Sequence, residues 1–133
     1  MLEYGLVTAK ASRGMPGYDI IAHNLITNQH CKIQVKFRKA IDSDGARVSN
    51  LEFDFLAYVA GNKGYVGEKD DTLTCDFKEC QVYIIPVDVV RKNVGKYGLF
   101  QSPTWGGYDQ YLNDWRSILD FLGWDNKYNK RLL

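Results

Sequence analysis

Cys31-Lys32-Ile33-Gln34-Val35-Lys36-Phe37-Arg38 alternates without a break. Ile33, Val35 and Phe37 interleave with Lys32, Gln34, Lys36 and Arg38, which is the period-2 pattern of a β-strand. Successive side chains leave a strand on opposite sides, so the four polar residues share one face. The preceding stretch Tyr18-Asp19-Ile20-Ile21-Ala22-His23 is a second strand candidate. Asn24 to His30, between the two, is polar enough for a turn. A hairpin through that turn pairs the strands and can bring Asp19 near Gln34 and Lys36.

Further strands lie on either side. Gly5 to Lys10 reads as a short one, and Ser12-Arg13-Gly14-Met15-Pro16-Gly17 as a loop punctuated by glycine and proline. Leu51 to Ala60 is apolar and aromatic and holds a buried strand, ended by Gly61-Asn62-Lys63-Gly64. Gln81 to Ile85 is another, stopped by Pro86, and Val87 to Lys92 reads as a short helix. Asp42-Ser43-Asp44-Gly45 is a turn, Glu68 to Asp71 a solvated loop tip, and Tyr97 to Gly107 a loop. The spacing of Tyr111, Leu112, Trp115, Ile118, Leu119 and Leu122 predicts a helix over Asp109 to Leu122, with Gly123 as its stop. Strands in front and a helix at the close give an α/β, or α+β, class.

The 133 residues are the usual size of one domain, so one unit over 1–133 is expected, needing no staple to fold. Hydrophobic residues at 45% and charged residues at 25% exclude wholesale disorder. A net charge of +1 leaves any attraction to nucleic acid to a local patch. No apolar run approaches the roughly 20 residues of a membrane span, and the first residues lack signal-peptide architecture. Cys31, Cys75 and Cys80 form an odd set, which fits reduced thiols and a cytoplasmic setting better than a disulfide framework.

Gly17-Tyr18-Asp19-Ile20-Ile21-Ala22 followed by Ile33-Gln34-Val35-Lys36 resembles the D…(E/Q)xK pattern of the PD-(D/E)xK, or restriction-endonuclease-like, nucleases. Phe53 to Val59 and Val82 to Pro86 are similar to that family's later strands, so the resemblance covers about residues 5 to 90. It implies a central mixed β-sheet flanked by helices, with the segment 109–122 outside the match. It also implies a metal site, Mg²⁺ or Mn²⁺, held by the Asp19 carboxylate, Gln34 and the carbonyl of Val35, with Lys36 as the catalytic lysine. The chemistry agrees: a divalent cation takes oxygen ligands and lowers the pKa of a bound water, and a lysine two residues along lies on the same face. Two departures stand out. Gln34 occupies a position that is usually acidic in that family, although some of its members, intron-homing enzymes among them, carry Gln there. The family's N-terminal acidic helix has little room ahead of Asp19, where Glu3 is the one acidic residue. That helix is then expected from elsewhere, or the site is incomplete.

Each residue also has an ordinary reading. Asp19 suits the Pro16-Gly17 turn. Gln34 and Lys36 suit the wet face of an antiparallel strand. Arg38 and Lys39 extend the same basic face, and Ser12 and Arg13 precede Asp19 in a loop. All four are candidates for nucleic-acid backbone contact, or for plain solvated surface. His23 shares the face of Asp19 and is expected to be structural. His23, His30 and the cysteines lack zinc-ligand spacing, and Asp42 to Gly45 lacks the later acid of a calcium loop. Trp105, Tyr108, Tyr111, Trp115 and Trp124 could stack bases, with core packing the safer role.

The leading expectation is a metal-dependent DNA endonuclease, RNA being the other possible substrate, in which water is held between Lys36 and a metal at Asp19 and Gln34. A homodimer is expected for double-strand cutting. The alternative is a nuclease-like fold that binds nucleic acid or a protein partner without catalysis. A third reading is a β-rich interaction module whose polar face is only solubilising, which a long Asp19–Lys36 separation would favour.

Overall fold

The computed structural model describes residues 5–14, 17–40, 44–63 and 80–125. Glu3, Met15-Pro16, Asp42-Ser43, Gly64, Glu68 to Asp71 and Cys75 lie outside the described residues. The strands are β1 (Leu6–Lys10), β2 (Ile20–Asn24), β3 (His30–Ala40), β4 (Ala46–Arg47), β5 (Phe55–Lys63), β6 (Gln81–Pro86) and β7 (Leu99–Phe100). Two α-helices are described, α1 (Val87–Asn93) and α2 (Trp115–Phe121). The class is α+β. A mixed five-stranded sheet runs in the order β1-β2-β3-β5-β6, and β4 pairs with β7 apart from it.

The expected hairpin is present: β2 runs antiparallel to β3, with Ile20 opposite Ile33 and His23 opposite His30. β1 adds an antiparallel strand outside β2. β5 lies parallel to β3, and β6 returns antiparallel to β5. Parallel neighbours need a long crossover, here residues 41–54. β5 does not stop at Ala60 as its glycine suggested. Arg38 pairs with Ala60 and Ala40 with Lys63, so two steps on β3 match three on β5, and the extra residue belongs to β5. Gly61 sits in that bulge, where a Cβ would come 2.2 Å from the Lys39 carbonyl oxygen, so only glycine fits.

Both faces of β5 and β6 are covered, which is why these strands read as nearly continuous apolar runs. On one face Leu56, Tyr58, Ala60, Tyr83 and Ile85 pack with Ala46, Val48, Phe53, Val90 and Phe100 from the crossover, α1 and β7. On the other, Leu6, Ala22, Cys31, Ile33, Phe55, Ala57 and Ile84 pack under Ile118 and Leu122. Each large aliphatic buried this way contributes about 1.5–3 kcal/mol. Burial pushes the Cys31 thiol up to about 12, with the nearby Asp54 carboxylate adding to the rise.

The helix expected over Asp109 to Leu122 is two elements. A 3-10 turn spans Asp109–Tyr111, Leu112 then bridges to Tyr83, and Asn113 takes a left-handed φ of 54° with its N–H on the Val82 carbonyl. Asparagine tolerates that conformation, and Asp114 starts α2 afresh. The 3- and 4-residue spacing is real, but its first half lies along the outer edge of β6. The far end of α2 is fastened to the β2–β3 turn. The buried Asn24 amide and the Thr27 hydroxyl both donate to the Leu122 carbonyl, at 2.9 and 2.7 Å.

Candidate functional site

β2 ends its pairing at Ile20, and the residue just ahead of it is Asp19. Its N–H still donates to the Ile33 carbonyl at 2.9 Å, so the chain stays fastened to β3 as it leaves the ladder. Its carboxylate takes over where a strand carbonyl would have been. Oδ2 accepts the Val35 N–H at 2.8 Å and the Gln34 Nε2–H at 2.6 Å. The Gln34 amide nitrogen also lies 3.4 Å from the Val35 carbonyl oxygen. The Asp19 carboxylate, the Gln34 amide and the Val35 carbonyl therefore converge at one point.

Gly17 makes the approach possible. It has a φ of +92°, and a Cβ there would stand 2.8 Å from Glu52 Cβ and 3.0 Å from Asn50 Oδ1. The crossover is held in that position partly by its own turn, since the Glu52 N–H donates to Asn50 Oδ1 at 2.9 Å.

Lys36 follows Gln34 on the same face, about 7 Å along the strand. Gly17, Gln34, Lys36, Val48, Ser49 and Asn50 line a depression of about 300 Å³. A second depression, of about 510 Å³, lies beside Asp19 and Val35 and is lined also by Lys10, Ser12, Arg13 and Tyr18. Asp19 shares the second depression with Ser12 and Arg13 and is hydrogen-bonded to Gln34, which lines the first with Lys36; because Val35 and Gln34 leave β3 on opposite sides, the two depressions lie on opposite faces of that strand. Lys32 is occupied otherwise, with its Nζ 5.4 Å from the centre of the Tyr18 ring.

Other candidates fall elsewhere. Arg38 is half-buried and donates its Nε–H to the Gly45 carbonyl, tying β3 to the crossover. Lys39 is exposed, but the pleat sends it to the side opposite Lys36 and Arg38, so it does not extend their row. His23 packs against His30, ring centroids 4.3 Å apart, and lies about 13 Å along the strand from Asp19. Tyr108 and Tyr111 pack against the first core and Trp124 against the second, whereas Trp105 and Trp115 are about half exposed.

Lys10, Ser49, Asn50 and Glu52 reach the site without having been singled out in the sequence. Only the Asn-x-Glu spacing of the crossover turn hinted at local order there. Among the described residues, no three His, Cys, Asp or Glu side chains gather as metal ligands. Compared with known proteins, the chain matches no family model, no curated protein and no solved structure.

Proposed function

We propose that this chain is a metal-dependent endonuclease, or a close relative of one, with a restriction-endonuclease-like fold and its site at Asp19, Gln34 and Lys36. The observation that carries the reading is the contact of Asp19 with both Gln34 and the Val35 backbone across β2 and β3. A solubilising face alone does not call for a carboxylate folded back onto the strand in this way. The mixed order of the sheet, with β3 antiparallel to β2 and parallel to β5, supports the same family.

The donor set fits a hard divalent cation such as Mg²⁺ or Mn²⁺. Its terminal torsion lets the Gln34 amide present oxygen instead of nitrogen, so Asp19, Gln34 and the Val35 carbonyl can offer three oxygens. Bound there, such a cation would neutralise phosphate charge and acidify a water. The chain's own residues supply the rest. Asp19, through the hydrogen bond it accepts from the Val35 N–H, keeps its carboxylate beside Gln34. Lys36, on the same face, donates to the attacking water or to a phosphate oxygen as charge develops on it. Ser12 and Arg13 contact the flanking backbone, which fixes the register of the substrate.

The test is supercoiled plasmid incubated with wild-type protein and Lys36→Ala in Mg²⁺, Mn²⁺ and EDTA. Cutting that needs both metal and Lys36 supports the proposal; cutting that ignores either one overturns it. A second reading, binding of nucleic acid or protein without catalysis, draws on one observation. The Gln34 amide donates to Asp19, leaving a single carboxylate in the donor set. Salt-sensitive DNA binding with no cleavage would favour it.

A further inference from the structure

Gln34, Lys36, Ser49 and Asn50 are the polar side chains around the depression of about 300 Å³, and its one formal charge is the Lys36 ammonium. No carboxylate is among its lining residues, since Asp19 lines the depression on the other face of β3. Lys36 and Gln34 form one wall, and the crossover residues Val48, Ser49 and Asn50 form the facing one.

The orientation of the Asn50 amide is fixed by its own turn. Oδ1 accepts the Glu52 N–H at 2.9 Å. An amide nitrogen has donors only, so oxygen must occupy that place and Nδ2 takes the other. The amide also lies against bare backbone: a Cβ on Gly17 would stand 3.0 Å from Asn50 Oδ1 and 3.3 Å from its Cγ. Among the described residues Nδ2 makes no hydrogen bond, which leaves two N–H donors on a residue that shares a cavity with Lys36.

The stretch that carries Asn50 is fastened on both sides. Ahead of it, the Val48 N–H donates to the Gly98 carbonyl at 2.7 Å. Behind it, Asp54 is laced to β3: its N–H donates to the Lys32 carbonyl and its Oδ2 accepts the Lys32 N–H, each at 2.8 Å. A donor held in this way need not be reoriented when charge develops in front of it, and that is the source of its effect on a transition state.

We propose that Asn50 is a further catalytic residue, whose amide donates to a non-bridging oxygen of the scissile phosphate while the depression receives that phosphate beside Lys36. One ammonium, free N–H donors and no carboxylate suit an oxyanion and not a cation. Asn50 exchanges no proton. It stabilises the charge that builds on the phosphate oxygen as water attacks phosphorus. The inference rests on the proposed nuclease reading and adds to it a residue from the crossover.

Two variants separate the donor from the turn. Asn50→Asp keeps an oxygen for the Glu52 N–H and loses the amide donors. Asn50→Ser keeps the turn through its hydroxyl, adds no charge and is too short to reach the phosphate. Both should melt within about 1–2 °C of wild type. Nicking of supercoiled plasmid at saturating DNA in Mg²⁺ should fall on the order of 100- to 1000-fold in each, the range for loss of one such donor. A second readout involves no cutting. In EDTA, Asn50→Asp sets a carboxylate against the phosphate, and a labelled duplex should bind at least about tenfold more weakly, by a factor that shrinks as salt rises. Nicking at the wild-type rate by either variant, or unchanged duplex binding by Asn50→Asp, overturns the inference. So does a loss of nicking matched in both variants by a fall of several degrees in Tm, which would leave Asn50 a turn residue only. Wild-type cutting that needs metal and Lys36 leaves the nuclease reading standing in each of those cases. A wild type that cuts nothing, with binding that still weakens in Asn50→Asp, supports the phosphate contact and removes the nuclease reading.

Discussion

Asp19→Asn separates the two jobs that a strand-end carboxylate can perform. Structurally, Asp19 accepts two hydrogen bonds, from Val35 N–H at 2.8 Å and Gln34 Nε2–H at 2.6 Å. Hydrogen bonds to a charged group are worth about 1.5–3 kcal/mol when sheltered. Asp19 is exposed, so water replaces much of that, and Asp19→Ala should cost about 1 kcal/mol. For 133 residues at about 2.1 cal/mol/K each, that is a fall of roughly 3–4 °C in Tm. Asparagine keeps an oxygen for the Val35 N–H, and Gln34 can turn its own oxygen toward the new amide. Asp19→Asn should therefore unfold within about 1–2 °C of wild type, inside the range of a benign surface change. Its charge is gone, however, and cutting of supercoiled plasmid in Mg²⁺ should drop by at least about 100-fold. The assay pairs calorimetry with plasmid nicking on the same preparations. An Asn variant that cuts at the wild-type rate with an unchanged Tm would reduce Asp19 to a strand cap. An Asn variant as unstable as the Ala variant would refute the role given to the Val35 bond.

Three further outcomes follow from the core. Asn24→Ala removes the buried amide that caps the Leu122 carbonyl and should cost about 1–3 kcal/mol in urea unfolding, with Thr27 holding the remaining bond. Cys31, buried and pushed up to about 12, should resist alkylation at pH 8 while the exposed Cys80 reacts. Its thiol is neutral in the fold and ionises more readily once unfolded, so its contribution is complete below the unfolded value of 9.0 and is lost from there up to about 12. Melting across that interval with Cys31→Ala as the control reads it out.

β3 was legible because its alternation admits one period, and the hairpin followed from the polar turn between two such strands. With the hairpin came the meeting of Asp19 and Gln34, since antiparallel pairing fixes which residues stand opposite. The helix over Asp109 to Leu122 was misread for a specific reason. A 3-10 turn followed by a short helix repeats apolar residues at the same 3- and 4-residue intervals, and only the Leu112 bridge to Tyr83 distinguishes the two. Lys10, Ser49, Asn50 and Glu52 were beyond reach. They come to the site through strand order and a crossover packed against Gly17, which no local pattern encodes. Arg38 was legible as a cation but not as the clasp on Gly45, because its partner is a backbone carbonyl, which has no sequence signature.

β3 outruns its neighbour: β2 stops opposite Ile33, and among the described residues no strand lies beside Phe37 to Ala40 on that side. A bare strand edge is a template on which a second chain can add itself, and many proteins blunt such edges with charge. Here the blunting is done by Lys36, Arg38 and Lys39. Two copies brought edge to edge would press like charges together across the new ladder, which destabilises the pairing. These cations thus oppose edge-to-edge addition of a second copy, and a stable dimer would have to form through some other surface.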